Sequence, residues 1–218
     1  MHFDILVEDV SGKRMLDLLV PKILGEFHTF QVHHYKGIGR LPKGMASGSE
    51  PQKRILLDQL PRVLQGFGKT YAAYPAGYQS AVVVVCDLDD RCLKAFRAEL
   101  LRLLQRCNPA PEARFCIAVE EGEAWFFGDL NAVRTAYPHS KDAVLSSYAN
   151  DSICGTWEKL ADAVYSGGAA ALKALGWTMI GREKSIWADA IAPNMDVNAN
   201  SSPSFCYFRD KLRGLAGQ

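Results

Sequence analysis

Residues 81–86 read AVVVVC and run straight into Asp87-Leu88-Asp89-Asp90. A short, continuous, β-branched apolar run ahead of an acidic turn predicts a strand buried on both faces of a parallel sheet. In open α/β sheets, ligands sit beyond the carboxyl ends of the strands. Side chains alternate along a strand, so Asp-x-Asp there places Asp87 and Asp89 on one side of the chain. Two carboxylates with nothing basic between them repel. A hard cation such as magnesium, manganese or calcium is their usual partner. The stretch therefore points to metal-dependent phosphoryl chemistry.

The flanking segments repeat the theme. Residues 3–7 form a short apolar strand, with Asp4 inside it, that stops at Glu8-Asp9. Ser11 can cap the next helix, whose stripe is Met15, Leu16, Leu18, Leu19, Ile23 and Leu24, with Gly25 as its stop. Residues 29–35 (TFQVHHY) alternate as a strand. A loop rich in Gly, Pro and Lys follows, carrying Lys36, Gly37, Gly39, Arg40 and Lys43. It could approach phosphate, although it lacks the spacing of a phosphate-cradling loop. Helices are expected at 54–66, kinked or divided by Pro61, and at 91–107. A fourth strand, 114–119, ends in Glu120-Glu121-Gly122-Glu123.

Strand and helix alternate throughout, which predicts an α/β fold: a mostly parallel sheet of about four strands flanked by helices. After Trp125-Phe126-Phe127 the pattern turns helical, with helices expected at 131–137, 156–165, 169–175, 183–191 and 204–215. Residues 1–129 thus read as the α/β part, and 130–218 as a helical extension packed on the sheet.

Composition narrows the options. The chain has 218 residues, 48% of them hydrophobic, enough for a real core, and a net charge of +1. It has no global basic field, so nucleic acid would have to be met by local patches or through a partner. The six cysteines are scattered with no Cys-x-x-Cys pair, which argues against zinc. The opening residues are too charged for a secretory signal, and no apolar run is long enough to span a membrane. A reduced, cytoplasmic protein is expected.

Three of the four expected strands end in carboxylates. Such residues often cap the following helix, a role open to Asp90. Three acidic strand ends on one sheet edge favour ligands over caps. His33 and His34 read as surface or packing residues, and Trp125-Phe126-Phe127 as core more than as a base-stacking surface. On periodicity alone, Lys184 is a solvated charge.

A strand ending in Glu and another ending in Asp-x-Asp resemble the toprim domain, the catalytic domain of topoisomerases, primases and overcoming-lysogenization-defect nucleases. Four segments more closely resemble the bacterial toprim-like family known as domain of unknown function 4276. They are FDILVEDVSGKRMLDLLVPKIL, VVVVCDLDDRC, AVEEGEAWFFGDLNAVRTAYP and WADAIAPNMDVNANSSPSFCYFRDKL. The resemblance implies a toprim-like, Rossmann-like fold and a nuclease dependent on Mg2+ or Mn2+. Glu8 would be a metal ligand or general acid/base, and Asp87 and Asp89 the paired metal ligands. Glu120 and Glu123 would help with a second metal, and Lys184 would stabilise negative charge. Lys36, Arg40 and Lys43 would contact nucleic acid, DNA more than RNA. Families that this chain resembles also suggest an ATPase partner and defence against phage or foreign DNA. A homodimer is expected separately, since a two-fold arrangement would suit cutting two strands. The chain departs from the pattern in one place: Asp9 follows Glu8, where the toprim glutamate is usually followed by glycine. Two alternatives remain. One is a phosphatase of the haloacid-dehalogenase type, disfavoured because Asp90-Arg91 follows the pair and the motif lies on the third strand. The other is a non-catalytic, partner-binding module.

Overall fold

Four strands, β1 (His2–Val7), β2 (Thr29–His34), β3 (Ser80–Asp87) and β4 (Ala113–Ala118), form one all-parallel sheet in the order β2-β1-β3-β4. This computed structural model describes residues 1–45, 51–150, 152 and 155–218. The middle of the expected Lys-rich loop, 46–50, and Cys154 lie outside the described residues. Val7 pairs with Val85, and Asp87 with Ala118, so β1, β3 and β4 end along one edge. The chain steps from β1 outward to β2, then returns past β1 to β3. The order reverses between β1 and β3, the place where open α/β sheets bind ligands.

The alternation of β3 is divided between two cores. Val83 and Val85 pack on the side of α1 (Val10–Leu24), while Val82, Val84 and Cys86 pack on the side of α2 (Leu56–Ala72) and α3 (Leu93–Gln105). Residues 81–84 have no exposed surface. Each of the three valines among them contributes roughly 1.5–3 kcal/mol relative to exposure. The expected buried parallel strand is what forms, because only a strand with a helix layer on each face tolerates an unbroken apolar run.

Asp9, not Ser11, caps α1: its Oδ1 accepts from the Gly12 backbone N–H at 2.7 Å, and its Oδ2 accepts from Ser11 Oγ at 2.7 Å. Gly25, with φ of 68°, ends the helix as expected. Pro61 does not divide α2, which continues to Ala72. A proline inside a helix costs about 3 kcal/mol. Burial of Leu56, Leu57, Leu60 and Leu64 offsets that cost. Asp90 caps nothing, since α3 begins only at Leu93 with Cys92 before it.

The second half is helical: α4 (Ala124–Phe127), α5 (Leu130–Ala136), α6 (Asp142–Leu145), α7 (Thr156–Val164), α8 (Gly168–Ala174), α9 (Trp177–Ile191) and α10 (Pro203–Ala216). The short α4 and α6 were not anticipated, and α9 starts earlier than the expected 183. Trp125, Phe126 and Phe127 are all buried, as core residues. Trp125 stacks on Phe208 with ring centroids 5.0 Å apart, and its indole N–H donates to Ser204 Oγ at 3.1 Å. These contacts put the C-terminal helices and the α1 face of the sheet in a single hydrophobic core.

Helix α9 lies along α1. Arg14 pairs with Asp189, and the Lys22 ammonium donates to the Met195 carbonyl at 3.0 Å. The two helices therefore run in the same direction, and the early part of α9 reaches the carboxyl edge of the sheet. Among the described residues, no helix is long and apolar enough to cross a membrane.

Candidate active site

At the carboxyl edge, between the ends of β1 and β3, lies a cavity of about 30 Å³. Its polar lining includes Glu8, Asp9, Asp87, Glu123 and Lys184, and Met15 and Phe126 form part of its apolar wall. Glu8 follows β1, Asp87 is the last residue of β3, and Glu123 lies in the turn between β4 and α4. Three strands thus each send a carboxylate to the point where the sheet order reverses. Lys184 arrives from the far end of the chain on α9.

Glu8 and Asp87 stand close enough to perturb each other's ionisation. Burial pushes the Glu8 carboxyl up to about 7, helped by the charges of Asp9 and Asp89 and opposed by Lys184. Burial and the neighbouring Glu8 likewise hold Asp87 well above the ordinary carboxylate range. The pair therefore retains a proton near neutral pH when no cation is bound. One oxygen of Glu8, Oε2, is buried without a hydrogen-bond partner.

The Lys184 Nζ lies 3.1 Å from Glu123 Oε2, and the two side chains are only 16% and 6% exposed. The contact is a largely buried ion pair. Burial alone would favour a neutral lysine. The charges of Glu123, Asp87, Asp9 and Glu121 outweigh it and keep Lys184 protonated. Glu123 is itself raised by burial, with Lys184 opposing.

The remaining expected residues lie elsewhere. Asp89 is not among the cavity's lining residues. The strand ends at Asp87, and Asp89 takes a left-handed conformation (φ 53°) that breaks the alternation expected to align the two carboxylates. Its side chain is 47% exposed, with the Arg91 guanidinium 3.7 Å away. It still stands near enough to raise Glu8 electrostatically. Glu120, also left-handed (φ 72°), accepts from Thr156 Oγ1 at 2.7 Å, and Glu121 accepts from the Trp157 N–H at 2.9 Å. These two carboxylates hold the start of α7 and are absent from the cavity lining, whereas Glu123 is part of it.

Lys36, Arg40 and Lys43 are exposed on the loop after β2. That loop begins at the same edge, where the Gly37 N–H donates to the Glu8 carbonyl at 2.8 Å. Lys43 then joins Arg102 and Arg106 of the α3 region around a separate cavity of about 260 Å³. Arg102 and Arg106 carry no motif on the sequence, and only the fold brings them beside Lys43. Asp9, read from the sequence as part of the acidic end of the first strand and as a departure from the toprim pattern, lines the cavity as the N-cap of α1; an aspartate just ahead of an apolar helical stripe is the signal for that place. His33 serves packing: its Nε2 lies 2.7 Å from Asp4 Oδ1, on the side of α2.

Hard carboxylate oxygens, one of them buried and unpartnered, fit the donor chemistry of magnesium or manganese, which retain several waters and need few protein ligands. Glu8 and Asp87 are the residues that could hold such an ion, with Glu123 beside them. Among the described residues, no three His, Cys, Asp or Glu side chains stand ready as a ligand group. Comparison with family models, curated proteins and solved structures gave no match to this chain.

Proposed function

We propose that the chain is a metal-dependent, toprim-type nuclease that cleaves phosphodiester bonds, DNA more readily than RNA. The observation that supports this most is the meeting of Glu8, Asp87 and Glu123 with Lys184 at the reversal point of a parallel sheet. A divalent ion held there would polarise the phosphoryl oxygen and lower the pKa of bound water. Glu8, titrating near 7, is poised to hold or release a proton close to the reacting oxygen. Lys184, kept charged by its carboxylate neighbours, offers a fixed positive charge to a pentavalent phosphoryl group. The apolar wall around Met15 and Phe126 limits water to the reacting side. Lys36, Arg40 and Lys43 would meet the phosphate backbone. An ATPase partner and a role in defence against foreign DNA belong to the proposal through the toprim-like resemblance, and a two-fold dimer because it would suit cutting two strands.

A second reading, a non-catalytic partner-binding module, is favoured by one observation: the carboxylates do not form a ready three-ligand group. Incubating the purified protein with plasmid DNA or single-stranded RNA, with magnesium or manganese, separates the two. The nuclease reading expects cutting that needs the ion and falls by about a hundredfold or more in Asp87→Asn and Glu8→Gln. Cutting that survives both substitutions assigns the chemistry to another site. Absence of cutting under every condition favours the binding module.

A further inference from the structure

We propose that the outer face of the α2–α3 layer is a landing surface for the phosphate backbone of nucleic acid, running from Arg102 and Arg106 to the carboxyl edge where Glu8 and Asp87 stand. The inference rests on the nuclease reading above and adds the path its substrate takes. Its first support is the distribution of charge. The loop 36–45, α2, α3 and Arg106 together carry nine Lys and Arg side chains against two acids, Asp58 and Glu99, a net of +7. The whole chain has a net charge of only +1, so the remainder carries −6. All nine cations are exposed. A field concentrated in this way attracts a polyanion even though the molecule as a whole is near neutral.

The second support is pairing. Elsewhere Arg14, Arg91, Arg114, Arg134 and Arg209 each stand beside a carboxylate. Among the described residues, no ion pair involves Lys43, Arg62, Lys69, Arg102 or Arg106. Asp58 is engaged in holding the loop, since its Oδ1 accepts from the Arg40 backbone N–H at 3.1 Å. Exposed guanidinium forks without an internal carboxylate keep their donors for phosphate, which they match in shape. The third support is continuity. The loop leaves the edge beside Glu8, and Ile38, Leu41 and Met45 strap it across the core under α2 and α3. Lys43, Arg102 and Arg106 line a groove of about 260 Å³, and Arg62, Lys69 and Arg106 line a second of about 470 Å³. Arg106 belongs to both, so the cations form one track. Helix α3 runs from the carboxyl edge back toward the start of β4, and its 13 residues span about 20 Å. That length matches about six phosphates of one strand. An acidic protein segment would feel the same field. Nucleic acid is favoured because the track leads to a site suited to phosphoryl chemistry.

The test is fluorescence anisotropy of a labelled DNA duplex of about 20 base pairs, in chelator, so that binding is read without cleavage. The full-chain parent, the double variant Arg102→Gln, Arg106→Gln and a control, Lys141→Gln, are compared over a salt series. Lys141 is exposed just before α6, on the helical second half. The double variant should bind about tenfold or more weaker, and its slope of log affinity against log salt should be shallower by about two. The control should stay within about twofold of the parent. Equal binding by the parent and the double variant overturns the landing surface but leaves the nuclease reading, with its substrate arriving by another face. No binding by the parent also overturns the surface, while metal-dependent cutting, measured separately, still decides the nuclease reading. Poly-glutamate that competes as well as unlabelled DNA, charge for charge, assigns the face to an acidic protein segment and overturns the proposal. Where the parent cuts DNA, the double variant should raise KM and leave kcat within about twofold. A fall in kcat with KM unchanged counts against the proposal.

Discussion

Asp4 lies within β1 and Glu8 just past its carboxyl end, and the two show how environment, not residue type, sets charge. Asp4 is buried, but it accepts from the Tyr71 hydroxyl at 2.6 Å and pairs with His33, and these partners outweigh burial and hold its carboxyl below the usual range. Its contribution to stability is present above the unfolded pKa and is lost as pH falls through the lowered folded value. Glu8 has the opposite sign, with burial raising it from 4.5 to about 7. Between those values the folded chain binds more protons than the unfolded one, so stability falls as pH rises. The size is on the order of 3 kcal/mol. Urea unfolding in chelator should therefore give a lower midpoint at pH 7.5 than at pH 5. Asp87→Asn should raise the midpoint at pH 7.5 and flatten this dependence, because it removes one of two facing carboxylates. A steeper dependence in the variant would contradict the shared proton.

At the scale of elements, close backbone approach fixes how the helices sit. Gly68 of α2 packs against the 109–111 turn, and a Cβ there would lie 2.0 Å from the Pro109 carbonyl oxygen. Alanine would gain about 1 kcal/mol of helix propensity. Forcing two backbones apart costs about 1–3 kcal/mol or more, so Gly68→Ala should lower the urea midpoint, and an increase would show that α2 can slide. The same scale explains what could be read from the chain. Strand ends were legible because an apolar run and the carboxylate that stops it are adjacent, which located Glu8 and Asp87. The choice among Glu120, Glu121 and Glu123 was not, because it depends on a left-handed turn at Glu120 and on bonds to Thr156 and Trp157 in a distant helix. Lys184 was opaque to periodicity for the same reason: the anions that justify its burial lie on other elements. Asp89 was misplaced because alternation holds only within a strand, and β3 ends at Asp87.

For the whole molecule, the sheet and the helical second half share one core, with Trp125 packed against Phe205 and Phe208 of α10. A fragment ending at residue 129 would expose Trp125, Phe126 and Phe127 to water. It should show no cooperative thermal transition by circular dichroism, whereas a sharp transition would mean that the first part folds alone. The origin of the site's charges has a consequence for synthesis. The carboxylates leave the ribosome early, but their lysine follows much later, on a helix docked against α1. A growing chain therefore carries the acidic half of the cavity without its positive counterpart. The charge balance of the cavity can therefore close only after α9 has emerged, when most of the chain is already outside.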